Sequence, residues 1–223
     1  MEENNVNVLS EQRKLRLESP VKVTINDLTI TGAKKREGTF KNATVLIDAP
    51  EVVIKNVKES VGQCYNLIEQ NGSTKYPLTR LLVENCEFDH PASSNNIFSF
   101  YKFAEGAKIT FKNCKFTINN FEGNIMRLDN MELVDHVSII FDNCTWIYTE
   151  RTTDKANKCT AALLFQYGWN GKSTEYAKKF GNWTVEFNNC KYGDTEIKPS
   201  LFKDYESLTT DIQTAEMTVS DTY

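Results

Sequence analysis

Thr110-Phe111-Lys112-Asn113-Cys114-Lys115-Phe116 recurs through the chain in variant form. The same order appears in Leu82-Val83-Glu84-Asn85-Cys86 with Phe88, in Ile140-Phe141-Asp142-Asn143-Cys144 with Trp146, and in Glu186-Phe187-Asn188-Asn189-Cys190 with Tyr192. Val53-Ile54-Lys55-Asn56-Val57 carries Val in the Cys place, and Val23-Thr24-Ile25-Asn26-Asp27-Leu28 is a weaker copy with Asp27 in the Asn place. Positions 27, 56, 85, 113, 143 and 189 lie 29, 29, 28, 30 and 46 residues apart, the last gap being one period plus an insertion. A fixed period of this length marks a chain built from stacked supersecondary units.

The alternation of apolar and polar residues before each Asn predicts a strand with one buried face. Asn visits the left-handed backbone region at low cost and turns the chain there. Units stacked at one β spacing, ~4.8 Å, bring successive amides within reach of each other as a ladder. The expected ladder is Asp27, Asn56, Asn85, Asn113, Asn143 and Asn189. Cys follows as a small apolar residue facing inward, giving a free-thiol stack of Cys86, Cys114, Cys144 and Cys190, and the aromatic two residues on faces the same way. A second strand per unit is predicted at Leu67-Ile68-Glu69, Ile97-Phe98-Ser99-Phe100, Ile125-Met126-Arg127-Leu128 and Leu164-Phe165-Gln166-Tyr167. Lys102–Lys108, Asn130–Val137 and Gly171–Trp183 vary in length and are expected to be loops. The expected architecture is all-β: a single-stranded right-handed parallel β-helix of about six coils over residues 21–193. Non-repeat segments flank it at 1–20 and 194–223 as caps or docking arms. A leucine-rich repeat also places Asn or Cys after alternating apolar residues, but it needs two residues before the Asn and a Leu-rich helical return, which are missing here.

Composition narrows the function classes. The chain has 223 residues, a net charge of −4 and a pI near 5.4, which argue against a nucleic-acid partner. No stretch approaches the apolar length of a membrane span, and the polar start Met1-Glu2-Glu3-Asn4-Asn5 lacks the features of a signal peptide. Synthesis in the cytoplasm is therefore expected, and the matches to the N-glycosylation pattern at Asn42, Asn71, Asn143 and Asn182 are read as chance. The six cysteines, which include Cys64 and Cys159, form no C-x-x-C or Cys/His cluster. No metal and no cofactor is expected.

The repeat resembles the pectate-lyase-like right-handed parallel β-helix superfamily over roughly Val21 to Tyr192. That resemblance rests on architecture, without a catalytic motif. It implies one of two roles, because the superfamily holds polysaccharide lyases and hydrolases as well as phage tailspike, fibre and other virion proteins. The expectation drawn is a non-enzymatic structural component of a bacteriophage particle, such as a capsid decoration, head-fibre or tail-associated protein. Its location would be the virion, and its partners other virion proteins and copies of itself. The alternative is a carbohydrate-active protein, with a glycan face formed by Glu69, Tyr101, Arg127 and Asp129 beside Ser99 and Gln166. Arg127 and Asp129 fall on one face of a strand, and stacking brings Glu69 and Tyr101 near. His90 and His136, each after an Asp, are expected in surface loops. Trp169, Trp183, Tyr167 and Tyr176 are expected to offer a partner contact in the last insertion.

Overall fold

The computed structural model describes residues 15–31, 45–60, 66–90, 96–118, 124–128, 134, 136–148, 165–167, 184–192, 194–196 and 200–202. Every regular element among them is a β-strand, and the strands build three sheets. The first sheet runs in the order β1 (Leu15–Glu18), β4 (Val45–Asp48), β7 (Asn66–Gln70), β10 (Asn96–Phe100), β13 (Asn124–Leu128) and β16 (Phe165–Tyr167), all parallel. The second contains the strands that precede each Asn. They are β2 (Lys22–Asn26), β5 (Glu51–Lys55), β8 (Leu78–Glu84), β11 (Phe103–Lys112), β14 (Ser138–Asp142) and β17 (Thr184–Asn188). The third holds β3 (Thr29–Thr31), β6 (Lys58–Ser60), β9 (Glu87–His90), β12 (Lys115–Ile118), β15 (Thr145–Tyr148) and β18 (Lys191–Tyr192). Each strand pairs with the strand three places on in the chain, so every repeat lends one strand to each sheet.

At the far end the direction reverses. β19 (Thr195–Glu196) lies antiparallel on β18, and β20 (Ser200–Phe202) lies antiparallel on β17. Both fall within 194–223, the segment expected to be a cap or docking arm. At the near end the sheets start earlier than the sequence indicates. β1 falls within residues 1–20, the segment expected to be a cap or docking arm, and pairs in register with β4 from Leu15↔Val45 to Glu18↔Asp48.

The register turns sequence periodicity into columns of like side chains. Ile25, Ile54, Val83, Phe111, Phe141 and Phe187 align across the second sheet. All six are buried, and the last three stack nearly parallel with centroids 4.8 and 5.3 Å apart. Phe88 and Phe116 stack in the third sheet at 5.4 Å. Phe98 meets Phe88 and Phe111 edge-on from the first sheet, at 5.5 and 5.4 Å. The core is thus an aromatic column in its middle repeats and a Val/Ile column at its near end. Each such ring contributes roughly 1.5–3 kcal/mol by burial, with more from ring-on-ring contact.

Two sequence expectations change here. There are three strands per repeat, not two, because the Cys-x-aromatic stretch after the turn is itself a short strand. Lys102–Lys108 is not a free loop. β11 extends through it, and its register against β8 shifts between Phe103 and Lys108, with Gly106 at φ 70 supplying the irregularity.

Candidate functional site

The recurring Asn forms the sharpest corner of each repeat. Asp27, Asn56, Asn85, Asn113, Asn143 and Asn189 all have φ between 52 and 55, the left-handed region that Asn and Asp tolerate best. Their amide groups form a directional ladder. Nδ2 of Asn56 donates to Asp27 Oδ1 at 2.9 Å, Asn85 to Asn56 Oδ1 at 3.4 Å, Asn113 to Asn85 at 3.0 Å and Asn143 to Asn113 at 2.7 Å. The backbone reinforces it: Asn56 N donates to Glu84 O, Asn85 N to Lys112 O and Asn113 N to Asp142 O. Inward Asn ladders, which the superfamily resemblance implies, are not what the structure has. All six side chains are exposed, because the left-handed turn throws them out of the corner while the following residue points in. Asp27 ends the series. A carboxylate only accepts, and here it takes Asn56 on one oxygen and Asn26 Nδ2 on the other at 2.6 Å.

The residue after each Asn is buried. Val57, Cys86, Cys114, Cys144 and Cys190 are at most 2% exposed, and all four cysteines are free thiols. Each thiol donates to a carbonyl two residues back at 3.3–3.5 Å and to one in the preceding repeat at 3.5–3.8 Å. Hydrogen bonds between neighbouring thiols split the column: with burial they push Cys86 and Cys144 well above the ordinary thiol range, and they pull Cys114 and Cys190 below it. Burial keeps all four from outside reagents. Cys64 and Cys159 lie outside the described residues.

The candidate glycan face divides. Glu69, Ser99, Arg127 and Gln166 occupy one register line of the first sheet. Tyr101 Oη donates to Glu69 Oε1 at 3.4 Å, and Asn66 Nδ2 donates to Oε2 at 2.9 Å. Of Arg127 the backbone position in β13 is described; Asp129 falls outside the described residues. Leu67, Ile97 and Ser99, on the outer side of these strands, are wholly buried, so this face is covered in its middle repeats. Gln70 beside it has a structural task. Its Oε1 accepts from Tyr101 N and Lys102 N, and its Nε2 donates to Lys102 O, clamping the next repeat's corner at 2.8–2.9 Å.

Sequence reasoning missed one cluster and misplaced a member of it. His90 is not in a surface loop; it ends strand β9 and is fully buried. Its Nδ1 faces both oxygens of Glu59, at 3.1 and 3.4 Å, and the Glu59 side chain is 1% exposed. Glu59 sits in the column that carries Ile30 in the preceding repeat, Phe88 in the next and Phe116 beyond. The available signal was a carboxylate in an aromatic's place, with a His two residues past the aromatic of the next repeat. His136 is exposed in a corner with φ 61. Trp169, Trp183 and Tyr176 lie outside the described residues, and Tyr167 closes strand β16.

Asp48, 3% exposed, makes a second buried polar point, where Asn71 Nδ2 donates at 2.8 Å and Thr74 Oγ1 also donates. It pins the Asn71–Pro77 connection onto β4. No group of three or more potential metal-ligating side chains occurs among the described residues. No family model, no curated protein and no solved structure matches the chain.

Proposed function

We propose that this chain is a right-handed parallel β-helix serving as a structural component of a bacteriophage particle, a decoration, head-fibre or tail-associated protein that acts by docking to other proteins. The carrying observation is where its chemistry is placed. The thiols are buried, the amides are engaged in a ladder, Glu69 is bonded by Asn66 and Tyr101, and Leu67, Ile97 and Ser99 are buried in the middle of the first sheet. These groups build a stiff body, and docking is left to loops and ends. Reconstruction of the particle, or size-exclusion chromatography with light scattering on the purified chain mixed with shell proteins of the same virus, tests this. The expected result is a complex containing the chain. A chain that stays monomeric with every such protein and is missing from the particle refutes it.

The register line of Glu69, Arg127 and Gln166, with Tyr101 on Glu69, favours a second reading, a glycan-binding or glycan-cleaving surface on the first sheet. Here Arg127→Ala or Glu69→Gln would abolish retention on an acidic polysaccharide column. Absence of retention by the unaltered protein across a broad polysaccharide panel rules it out.

A further inference from the structure

The Glu59–His90 pair stands apart from every other ion pair among the described residues. The Lys22–Glu51, Lys55–Glu84, Lys58–Glu87 and Lys115–Glu87 pairs all sit on the outside of the sheets with at least one partner 40% or more exposed. Glu59 and His90 are shut inside at 1% and 0%. Neighbours in the third sheet offer them no charge: β3 contributes Ile30, and β12 contributes Phe116 to the same side. The buried core residues of the other sheets in these repeats include Ile54, Val83, Ile68 and Phe98. The charged groups of β5 and β8 are Glu51, Lys55, Arg80 and Glu84, which lie on the outer face; β7 has only Glu69, held by Asn66 and Tyr101; β10 has none. Lys58, Glu87, Asp89 and Lys115 share the sheet with the pair but alternate to its outer side. His90 Nε2 is buried with no hydrogen-bond partner.

We propose that Glu59–His90 is a proton-operated lock joining the second and third repeats. The states can be counted. With carboxylate and imidazolium together the buried pair carries no net charge and keeps its hydrogen bond. Protonating the carboxylate leaves a lone buried cation, and removing an imidazole proton leaves a lone buried anion. Either change removes one charge of a buried pair, which is the costly event, so the lock holds while both charges are present and loosens on acidification as the carboxylate is neutralised.

The chain has only two histidines, so exposed His136 is an internal reference. Imidazole 15N shifts of the whole protein, followed between about pH 4 and 9, read the pair directly. The same samples give the unfolding midpoint at each pH. The comparison protein is Glu59→Leu/His90→Phe, which fills the column with the residue types around it. The expected result is a His90 titration displaced from that of His136, and a midpoint drop of about 5 °C or more on acidification that the double variant loses. A His90 curve that overlays His136, or a double variant with the same acid drop as the unaltered protein, overturns the proposal. If the double variant does not fold, Glu59→Gln decides: it must remove the displacement of the His90 titration, and a His90 curve unchanged by Glu59→Gln refutes the lock.

Discussion

Replacing Asn113 with alanine removes a ladder rung and leaves a β-carbon at a backbone angle that disfavours it. Asn113 donates to Asn85 at 3.0 Å and accepts from Asn143 at 2.7 Å, and its φ is 53. Both hydrogen bonds are exposed, so each belongs at the low end of the usual net contribution, about 0.5 kcal/mol. Holding alanine in the left-handed region costs a further ~1 kcal/mol. The loss for Asn113→Ala is therefore about 2 kcal/mol, read as a midpoint drop of roughly 4–8 °C for a chain of this size. Asn113→Gly loses the same bonds without the backbone term, and its more flexible unfolded state takes back about 0.4–1 kcal/mol. Glycine should thus be no worse than alanine here, and equal or milder in urea denaturation, the reverse of the order inside an ordinary strand. Asn113→Asp separates the two effects further, because it keeps the backbone preference and the bond from Asn143 while losing only the donor to Asn85. A loss below about 0.5 kcal/mol for Asn113→Ala, or an alanine variant clearly more stable than the glycine one, would refute the reasoning.

Phe111→Ala should cost about 3–5 kcal/mol by chemical denaturation, since the ring is fully buried and stacks on Phe141 at 4.8 Å. Gln70→Leu leaves Tyr101 N and Lys102 N without their acceptor and should destabilise by about 1–3 kcal/mol, with faster amide exchange at those two positions as the local readout. Cys86, Cys114, Cys144 and Cys190 should resist iodoacetamide in the folded protein and react once it is unfolded, as peptide mass mapping would show; rapid labelling of any of the four in the native state contradicts their burial. The hydrogen bond from Lys55 holds the Glu84 carboxyl below its usual range against the opposing effect of desolvation, with lesser help from the charges of Lys55 and Lys112. A carboxyl depressed on folding stabilises above its unfolded pKa, and that contribution disappears as pH falls through the folded value. Carbon NMR of Glu84 should follow this depressed titration, and Lys55→Met should return it towards the ordinary glutamate.

The turns and columns were legible because their physics is local. A residue that must sit at φ near 53 every 28–30 residues leaves Asn in the sequence, and the buried place after it leaves Cys or Val. The third strand was hidden by length: Lys115–Ile118 and Glu87–His90 are four residues each, too short to show alternation, and they start two residues after the preceding strand ends. The strand through Phe103–Lys108 was hidden by Gly106 and Glu105, whose residue types signal a loop where the register in fact shifts. The side of the ladder could not be read from spacing, because an Asn at a corner can point either way, and the turn angle decides it. His90 was misplaced for a related reason. A histidine beside aspartate and proline reads as surface, and only the register with Glu59 across one repeat shows that it is shut inside.

The ladder has a direction, and direction limits growth. Asn56, Asn85, Asn113 and Asn143 each donate toward the first repeat, so another copy stacked end to end at that end would need a donor from position 27 to continue the series. Asp27 has none to give, and both its oxygens are taken. At the opposite end β19 and β20 run against the grain of the sheets they close. The amide series therefore cannot be continued past position 27, and the parallel order of the second and third sheets is not continued past β20 and β19. A unit that could repeat indefinitely thus carries its own stop signals, and whatever docks at the near end does so through contacts other than the amide ladder.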